Sequence, residues 1–252
     1  MDNITMVAPC LMGLEGLVGG ELRRMDAQDV TPDNGRVFFS GGENILARAN
    51  LWSRYSERIL IVVGKFTALT FDDLFEGCKA LPWERWIGKS DAFPVKGSSV
   101  SSKLFSVSDC QSIIKKAVVE RLKSVYHIPW FDETGPVHQI QFHIHKDVAC
   151  IMLDTSGEGL HKRGYRRHGV AAPIKETLAA AMADLAIVKA DSRVFDPLCG
   201  SGTILIESAL KALNIAPGSK RSFACERWSC LDADVWRAER ERAQGMIRTD
   251  AA

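Results

Sequence analysis

The 252-residue sequence predicts a mixed α+β / α/β protein, and three observations predict it. Strand-like and helix-like runs alternate over roughly the first 66 residues in a β-α-β-β-α-β-like order. A second series of elements closes on a hairpin near residue 153. Residues 193–207, RVFDPLCGSGTILIE, then read as a short strand, an acid, a glycine turn and a helix, the opening of a doubly wound sheet.

Taken in order, residues 4–9 (ITMVAP) form a first strand, and Leu14, Leu17, Val18 and Leu22 recur at helical spacing, with Arg23 and Arg24 where cations favour a helix end. A Pro32-Asp33-Asn34-Gly35 turn, a strand Arg36–Phe39, a helix around 44–54 and a buried strand 58–66 complete a ferredoxin-type layer. A helix from Phe71 to about Leu81 opens the next unit. It is followed by a strand Phe93–Lys96, a Gly/Ser-rich loop 97–103, and a long helix 110–125 with Asp109 as its N-cap. A hairpin of 137–145 and 148–153, turned at Lys146-Asp147, closes that unit; Gln139, Gln141, His143 and His145 share its polar face. Ala171-Ala172-Pro173 leads a helix carrying Ile174, Leu178, Met182, Leu185 and Val188, with Lys175 and Glu176 in its first turn. The helix after the glycine turn runs to about Leu213, and a Trp-bearing, charged amphipathic stretch ends the sequence.

Composition narrows the function. With 32 basic against 31 acidic residues, no global charge calls for nucleic acid, so such a partner has to be read from local clusters. Seven scattered cysteines make no Cys-x-x-Cys pair, which fits reduced thiols in the cytoplasm and argues against zinc. The start lacks the pattern of a signal peptide, and no uncharged apolar run reaches the ~20 residues of a membrane span. His143 and His145 could ligate a metal, but no carboxylate or cysteine stands at matching spacing, so no metal is expected.

Two local features carry chemistry. In the glycine turn, Gly200 and Gly202 let a backbone approach a ligand, and free N–H groups at the helix start face it. No lysine follows the second glycine as in a P-loop, which ranks a nucleoside-triphosphate module last. In the 154–168 stretch, Lys162, Arg163, Arg166 and Arg167 surround Tyr165 without an intervening acid, a combination suited to phosphate and base; a charged linker is the plainer reading. Lys96, Lys103, Lys115, Lys116, Arg121 and Lys123 outnumber Asp109 and Glu120 in the second unit and read either as a solvated face or as phosphate contacts.

Three blocks together resemble one family. LHKRGYRRHGVAAPIKETLAAA (160–181), DPLCGSGTILIESAL (196–210) and NIAPGSKRSFACERW (214–228) are similar to THUMP-domain methyltransferases that modify guanine N2 in large-subunit ribosomal RNA. The resemblance implies a ferredoxin-like N-terminal domain (1–66), a THUMP RNA-binding domain (67–155), a basic linker and connecting helix (156–190) and an incomplete Rossmann-like methyltransferase domain (191–252). It implies an S-adenosylmethionine site at Asp196, Pro197, Cys199, Gly200, Ser201, Gly202 and Thr203, with Asp196 on the methionine ammonium and Pro173, Lys175 and Glu176 closing the pocket. Cys199 reads as a small packing residue rather than a reactive thiol. RNA contacts are expected from Lys96, Lys103, His161, Lys162, Arg163, Tyr165, Arg166 and Arg167.

The sequence departs from the family in one place that matters. The family's Asn-Pro-Pro-Tyr-type loop orients the acceptor amine, yet none of the nine prolines here are adjacent. Only residues 191–252 follow the start of the glycine-turn strand, against about 150 residues for a domain of that kind. The methyltransferase domain therefore reads as truncated and the chain alone as inactive or severely impaired, with the missing part left either to a separate chain or to the reading frame beyond Ala252. Glu226, an acid beyond the turn, reads as a weak counterpart of a ribose ligand, because the family has an insertion there. The rival reading is a non-catalytic THUMP-class RNA-binding protein with a vestigial cofactor turn.

Overall fold

The computed structural model describes residues 3–166 and 173–249. It divides into two compact units: residues 1–59, 158–223 and 232–252 form the first, and residues 60–157 with 224–231 the second.

The first unit opens with β1 (Ile4–Pro9), α1 (Glu15–Arg24), β2 (Gln28–Asp33), β3 (Arg36–Gly41) and α2 (Glu43–Trp52). β3 pairs antiparallel with both β1 and β2, Ile4 standing opposite Gly41 and Pro9 opposite Arg36. Val18 and Leu22 of α1 and Ile45, Leu46 and Leu51 of α2 are buried as their helical spacing requires. β2 carries Pro32 and is mostly exposed, so neither hydrophobicity nor propensity announces it; the Asn34-Gly35 turn, with Gly35 at φ +68°, folds it back onto β3.

The second unit contains β4 (Leu60–Thr67), α3 (Phe71–Lys79), β5 (Val95–Val100), α4 (Val107–Tyr126), β6 (Ile140–His145) and β7 (Val148–Asp154). β4 and β7 are antiparallel, β7 and β6 antiparallel, and β6 and β5 parallel. Lys146 and Asp147, both at positive φ, make the two-residue turn of the β6–β7 hairpin. Two local readings need correction here. The Gly/Ser-rich segment is not all loop: residues 97–100 lie in β5, because Gly97 sits directly against Phe142, where a Cβ would collide with the Phe142 carbonyl and ring. α4 starts earlier than expected, with Ser106 at the N-cap and Asp109 in the first turn. α3 begins with a capping box: Thr70 Oγ1 accepts from the Asp73 N–H, and Asp73 accepts from the Thr70 N–H.

The first unit resumes with α5 (Glu176–Leu185), α6 (Thr203–Ala212) and α7 (Ala233–Gly245). α5 buries its small face, Thr177, Ala179, Ala180 and Ala183, and leaves Leu178, Met182 and Leu185 exposed. No strand forms at 193–196: Val194 and Phe195 have no ladder partner among the described residues, and Phe195 is 88% and Leu198 91% exposed. A parallel strand of this type needs neighbours on its edges and cover on both faces, and the described residues provide neither. No helix among the described residues is long and apolar enough to cross a membrane.

Candidate cofactor turn and nucleic-acid interface

The turn keeps its local geometry without the strand. Gly200 and Gly202 have φ of +52° and +70°, the left-handed region that favours glycine, and nothing stands within 4 Å of a Cβ built at either. Asp196 Oδ1 accepts from the Leu198 N–H at 3.0 Å, and the Gly202 N–H donates to the Cys199 carbonyl at 2.7 Å, folding the turn onto the start of α6. Gly202 is the N-cap of α6, and its side of the helix has no side-chain cap. The turn therefore offers left-handed glycines, open space beside them and an uncapped helix start, a set that fits the amino-acid end of a nucleoside cofactor. Cys199 is exposed, which corrects its reading as a packing residue; Pro197 and Ser201 are exposed, and Ser201 Oγ lies 2.9 Å from the buried Thr203 Oγ1.

Arg166 joins the start of α5 to the glycine turn. Its Nη2 donates to Thr203 Oγ1 at 3.1 Å and lies 3.0 Å from Glu176 Oε1, so one guanidinium fixes the start of α5 against the turn. Lys175 is the N-cap of α5 rather than part of its first turn, and Pro173 stands before it without regular structure. Glu57, which the sequence did not single out, organises the same region. It accepts from Thr177 Oγ1 at 3.0 Å and lies 3.4 Å from Lys175 Nζ and from His161 Nδ1.

Arg163 and Tyr165 serve the interior. Arg163 is 3% exposed; its Nη1 donates to the Leu160 carbonyl and its Nη2 to the Arg54 carbonyl, both at 2.6 Å, while Nε faces the fully buried Glu207 Oε1 at 3.4 Å. The Tyr165 hydroxyl donates to the same Oε1 at 3.0 Å; burial first and Glu207 second push its pKa up. With its donors committed, Arg163 cannot reach a strand of RNA without unfolding the network. Glu207, a lone acid in the apolar run of α6, was the legible signal for this network.

His161 is half-buried and Lys162 exposed; with Arg166, Glu176, Lys220 and Arg221 they line a cavity of about 790 Å³. Lys220 and Arg221 were not anticipated, although they lie within the 214–228 block. Arg167 lies outside the described residues. In the second unit Lys96 and Lys103 are exposed. Lys115 and Arg121 are paired instead, Lys115 with Glu133 at 2.5 Å and Arg121 with both Glu84 oxygens, which holds Glu84 below its ordinary range. His143 Nδ1 lies 2.9 Å from Ser98 Oγ and its ring stacks 6.0 Å from His145. Glu226 lies in the short turn Ala224–Arg227 of the second unit, whereas the glycine turn belongs to the first.

Comparison with known proteins places these features in a class. Residues 5–60 match the family described as RlmL ferredoxin-like domain, residues 68–154 the THUMP domain, and residues 163–251 the RMKL-like methyltransferase domain. That order defines the class of proteins in which a THUMP domain precedes an RMKL-like methyltransferase domain. Among relatives, the chain is 47% identical over 252 residues to a putative RNA methyltransferase, YpsC, of Bacillus subtilis, covering 99% of this chain and 65% of that protein. It is 35% identical to the ribosomal RNA large subunit methyltransferase K/L of Cellvibrio japonicus, covering 94% of this chain and 32% of that one. The crystal structure of SMU.472, a putative methyltransferase complexed with SAH, matches with a TM-score of 0.94 at 42% identity over 100% of this chain and 67% of that one. The chain belongs to the family whose members join an RlmL ferredoxin-like domain, a THUMP domain and an RMKL-like methyltransferase domain, matched here in that order. It spans about two thirds or less of the length of these relatives.

Proposed function

We propose that the chain is the RNA-recognising part, with the first cofactor-binding element, of an S-adenosylmethionine-dependent methyltransferase acting on guanine N2 of large-subunit ribosomal RNA. The observation that carries the reading is the Arg166 bridge, which brings Glu176 and the Thr203 end of the glycine turn to one place. In this reading Asp196 holds the methionine ammonium, the Gly200 and Gly202 backbones pass beside the amino-acid moiety, and Pro173, Lys175 and Glu176 close the pocket. Pro197, Cys199, Ser201 and Thr203 complete its lining. The bound cofactor supplies an electrophilic sulfonium methyl for the exocyclic amine. What the protein adds is position, holding the two reactants at attack distance, with the target base drawn from its stack.

RNA is held by Lys96 and Lys103 of the THUMP domain and by His161, Lys162, Arg166 and Arg167 of the basic stretch; Arg163 and Tyr165 support that stretch from inside. The domains are 1–66, 67–155, 156–190 and 191–252, and the protein works in the cytoplasm. Because these 252 residues hold no Asn-Pro-Pro-Tyr-type loop, they bind RNA without turning over, and a further chain or segment supplies the acceptor-orienting loop. The exposure of Phe195 and Leu198 favours a second reading, an RNA-binding protein whose turn no longer takes cofactor.

The test combines salt-dependent binding to deproteinised large-subunit rRNA with methyl transfer from labelled S-adenosylmethionine, the product nucleoside being identified. The proposal expects affinity that falls steeply with salt and no methyl transfer by the chain alone. A flat salt response, robust turnover by these residues, or N6-methyladenosine as the product of the complete enzyme would overturn it.

A further inference from the structure

A second cavity of the first unit, about 730 Å³, lies away from the glycine turn in its lining: residues of α1, α2, α6 and the 188–191 segment form its wall, with Arg242, Met246 and Arg248. Its volume falls in the range of small-molecule sites. Cations dominate the wall. Among the described residues Arg24, Lys189 and Arg248 are exposed and have no carboxylate within 4.0 Å. Arg48 and Lys211 are neutralised, by Glu239 at 2.8 Å and Asp184 at 2.6 Å, and Arg242 has only a 3.7 Å approach to Glu239.

Arg54 makes the site more than a charged surface. It lines the cavity, is 8% exposed, and donates Nη2 to the Ile215 carbonyl at 2.8 Å, yet its Nη1 has no hydrogen-bond acceptor. Trp52 Nε1, also in the wall, is a second buried donor without an acceptor. A buried donor left unmade is costly, and two in the wall of one cation-rich cavity call for an acceptor-rich, negatively charged occupant. Glu21 does not cancel this charge. Burial raises its pKa to about 7, so near neutrality only about half of it is ionised, and its oxygens already accept from the Arg54 N–H and Ser53 Oγ. Met25, Val188 and Met246 supply an apolar floor beside the cations.

We infer that this cavity binds a nucleotide through its phosphate, held by Arg24, Lys189 and Arg248 with Arg54 behind them. The nucleotide is either free or one residue of an RNA strand, and the inference stands independently of the methyltransferase reading. The test titrates the full chain by calorimetry with 5′-AMP, with adenosine and with a short single-stranded RNA, comparing the wild type with a Arg24→Ala, Lys189→Ala, Arg248→Ala triple variant. These three side chains are exposed, and thermal unfolding confirms that the variant folds. If the source is a free nucleotide, 5′-AMP saturates, adenosine binds at least roughly tenfold more weakly, and the triple variant loses roughly tenfold in AMP affinity. If the source is a strand, AMP gives no heat and the triple variant loses a similar factor for RNA. A Lys96→Ala, Lys103→Ala variant run in parallel separates loss of the proposed THUMP contacts from loss of the cavity. Unchanged affinity of the triple variant for both AMP and RNA, or adenosine binding as tightly as AMP, would overturn the inference.

Discussion

Glu207→Ala is the most informative perturbation of the framework beneath the glycine turn. Glu207 has no exposed side-chain surface; it faces Arg163 Nε at 3.4 Å and accepts from the Tyr165 hydroxyl at 3.0 Å. Removing one partner of a buried ion pair costs about 3–5 kcal/mol, because the other charge stays buried. The lower end applies here. Arg163 keeps three backbone carbonyls, those of Leu160, Arg54 and Ser53, and the 3.4 Å separation from Glu207 is long for a hydrogen bond. Loss of the Tyr165 hydrogen bond is contained in the same figure, since the two share one oxygen. A stability loss of about 3 kcal/mol lowers Tm by roughly 6–12 °C in a chain of this size. Glu207→Gln keeps an acceptor for Tyr165 while removing the charge, so its loss is smaller. Thermal unfolding of the three proteins checks this, with S-adenosylhomocysteine affinity as the second readout. A Glu207→Ala protein with Tm within about 2 °C of the wild type would refute the claim that this pair anchors α6.

Further outcomes follow from the same geometry. Gly202→Ala places a side chain at φ +70° in open space, so its cost is backbone strain alone, about 1–2 kcal/mol, read as a Tm decrease of roughly 2–8 °C; an unchanged Tm would show that the turn adopts another conformation. For Glu21, burial raises the folded carboxyl to about 7 from an ordinary 4.5, so the native state binds more protons than the unfolded one between those values. Native stability is therefore lost as pH rises through this window, by roughly 3 kcal/mol above pH 7. Glu21→Gln should gain about that much relative to wild type between pH 4.5 and 8, measured as the difference in their unfolding free energies; a pH-independent difference contradicts it. The comparison has to be between variants, because buried His138, depressed to about 4 chiefly by desolvation, drives the wild type the opposite way as pH rises through 4–6.5. Lys96→Ala with Lys103→Ala should flatten the plot of log affinity for RNA against log salt by about 1.4 for a single-stranded target; filter binding at several salt concentrations would expose an unchanged slope.

Much of the fold was legible because local rules and tertiary demands agree there. β1, α1 and the β6–β7 hairpin follow from period and turn chemistry: Val18 and Leu22 share a buried helix face, and Ile140, Phe142 and Ile144 alternate inward. β5 was half hidden because Gly97 and the serines after it carry a loop composition, while the reason for the strand, contact with Phe142, is more than 40 residues away in the sequence. α5 shows the opposite failure. Its leucine and methionine stripe reads as the inner face, yet the alanines are buried, since small residues let it pack closely on α6. The strand before the glycine turn failed for a physical reason as well. Its residues are right, but a strand exists only with hydrogen-bonded neighbours, and Val194 and Phe195 have none among the described residues. In the candidate site, the glycine turn and the basic stretch were readable as motifs. The division of labour inside the stretch was not: Arg163 and Tyr165 turn inward to Glu207, and Arg166 turns to Thr203 and Glu176, through partners that only the fold brings near.

The central claim is that the Asp196–Thr203 turn, fixed by Arg166 against α5, is a working half of an S-adenosylmethionine site. Calorimetric titration of the full chain with S-adenosylhomocysteine, beside its Asp196→Ala variant, tests it most directly. The account predicts saturable binding by the wild type that the variant loses. No binding by either protein, or equal binding by both, would contradict it.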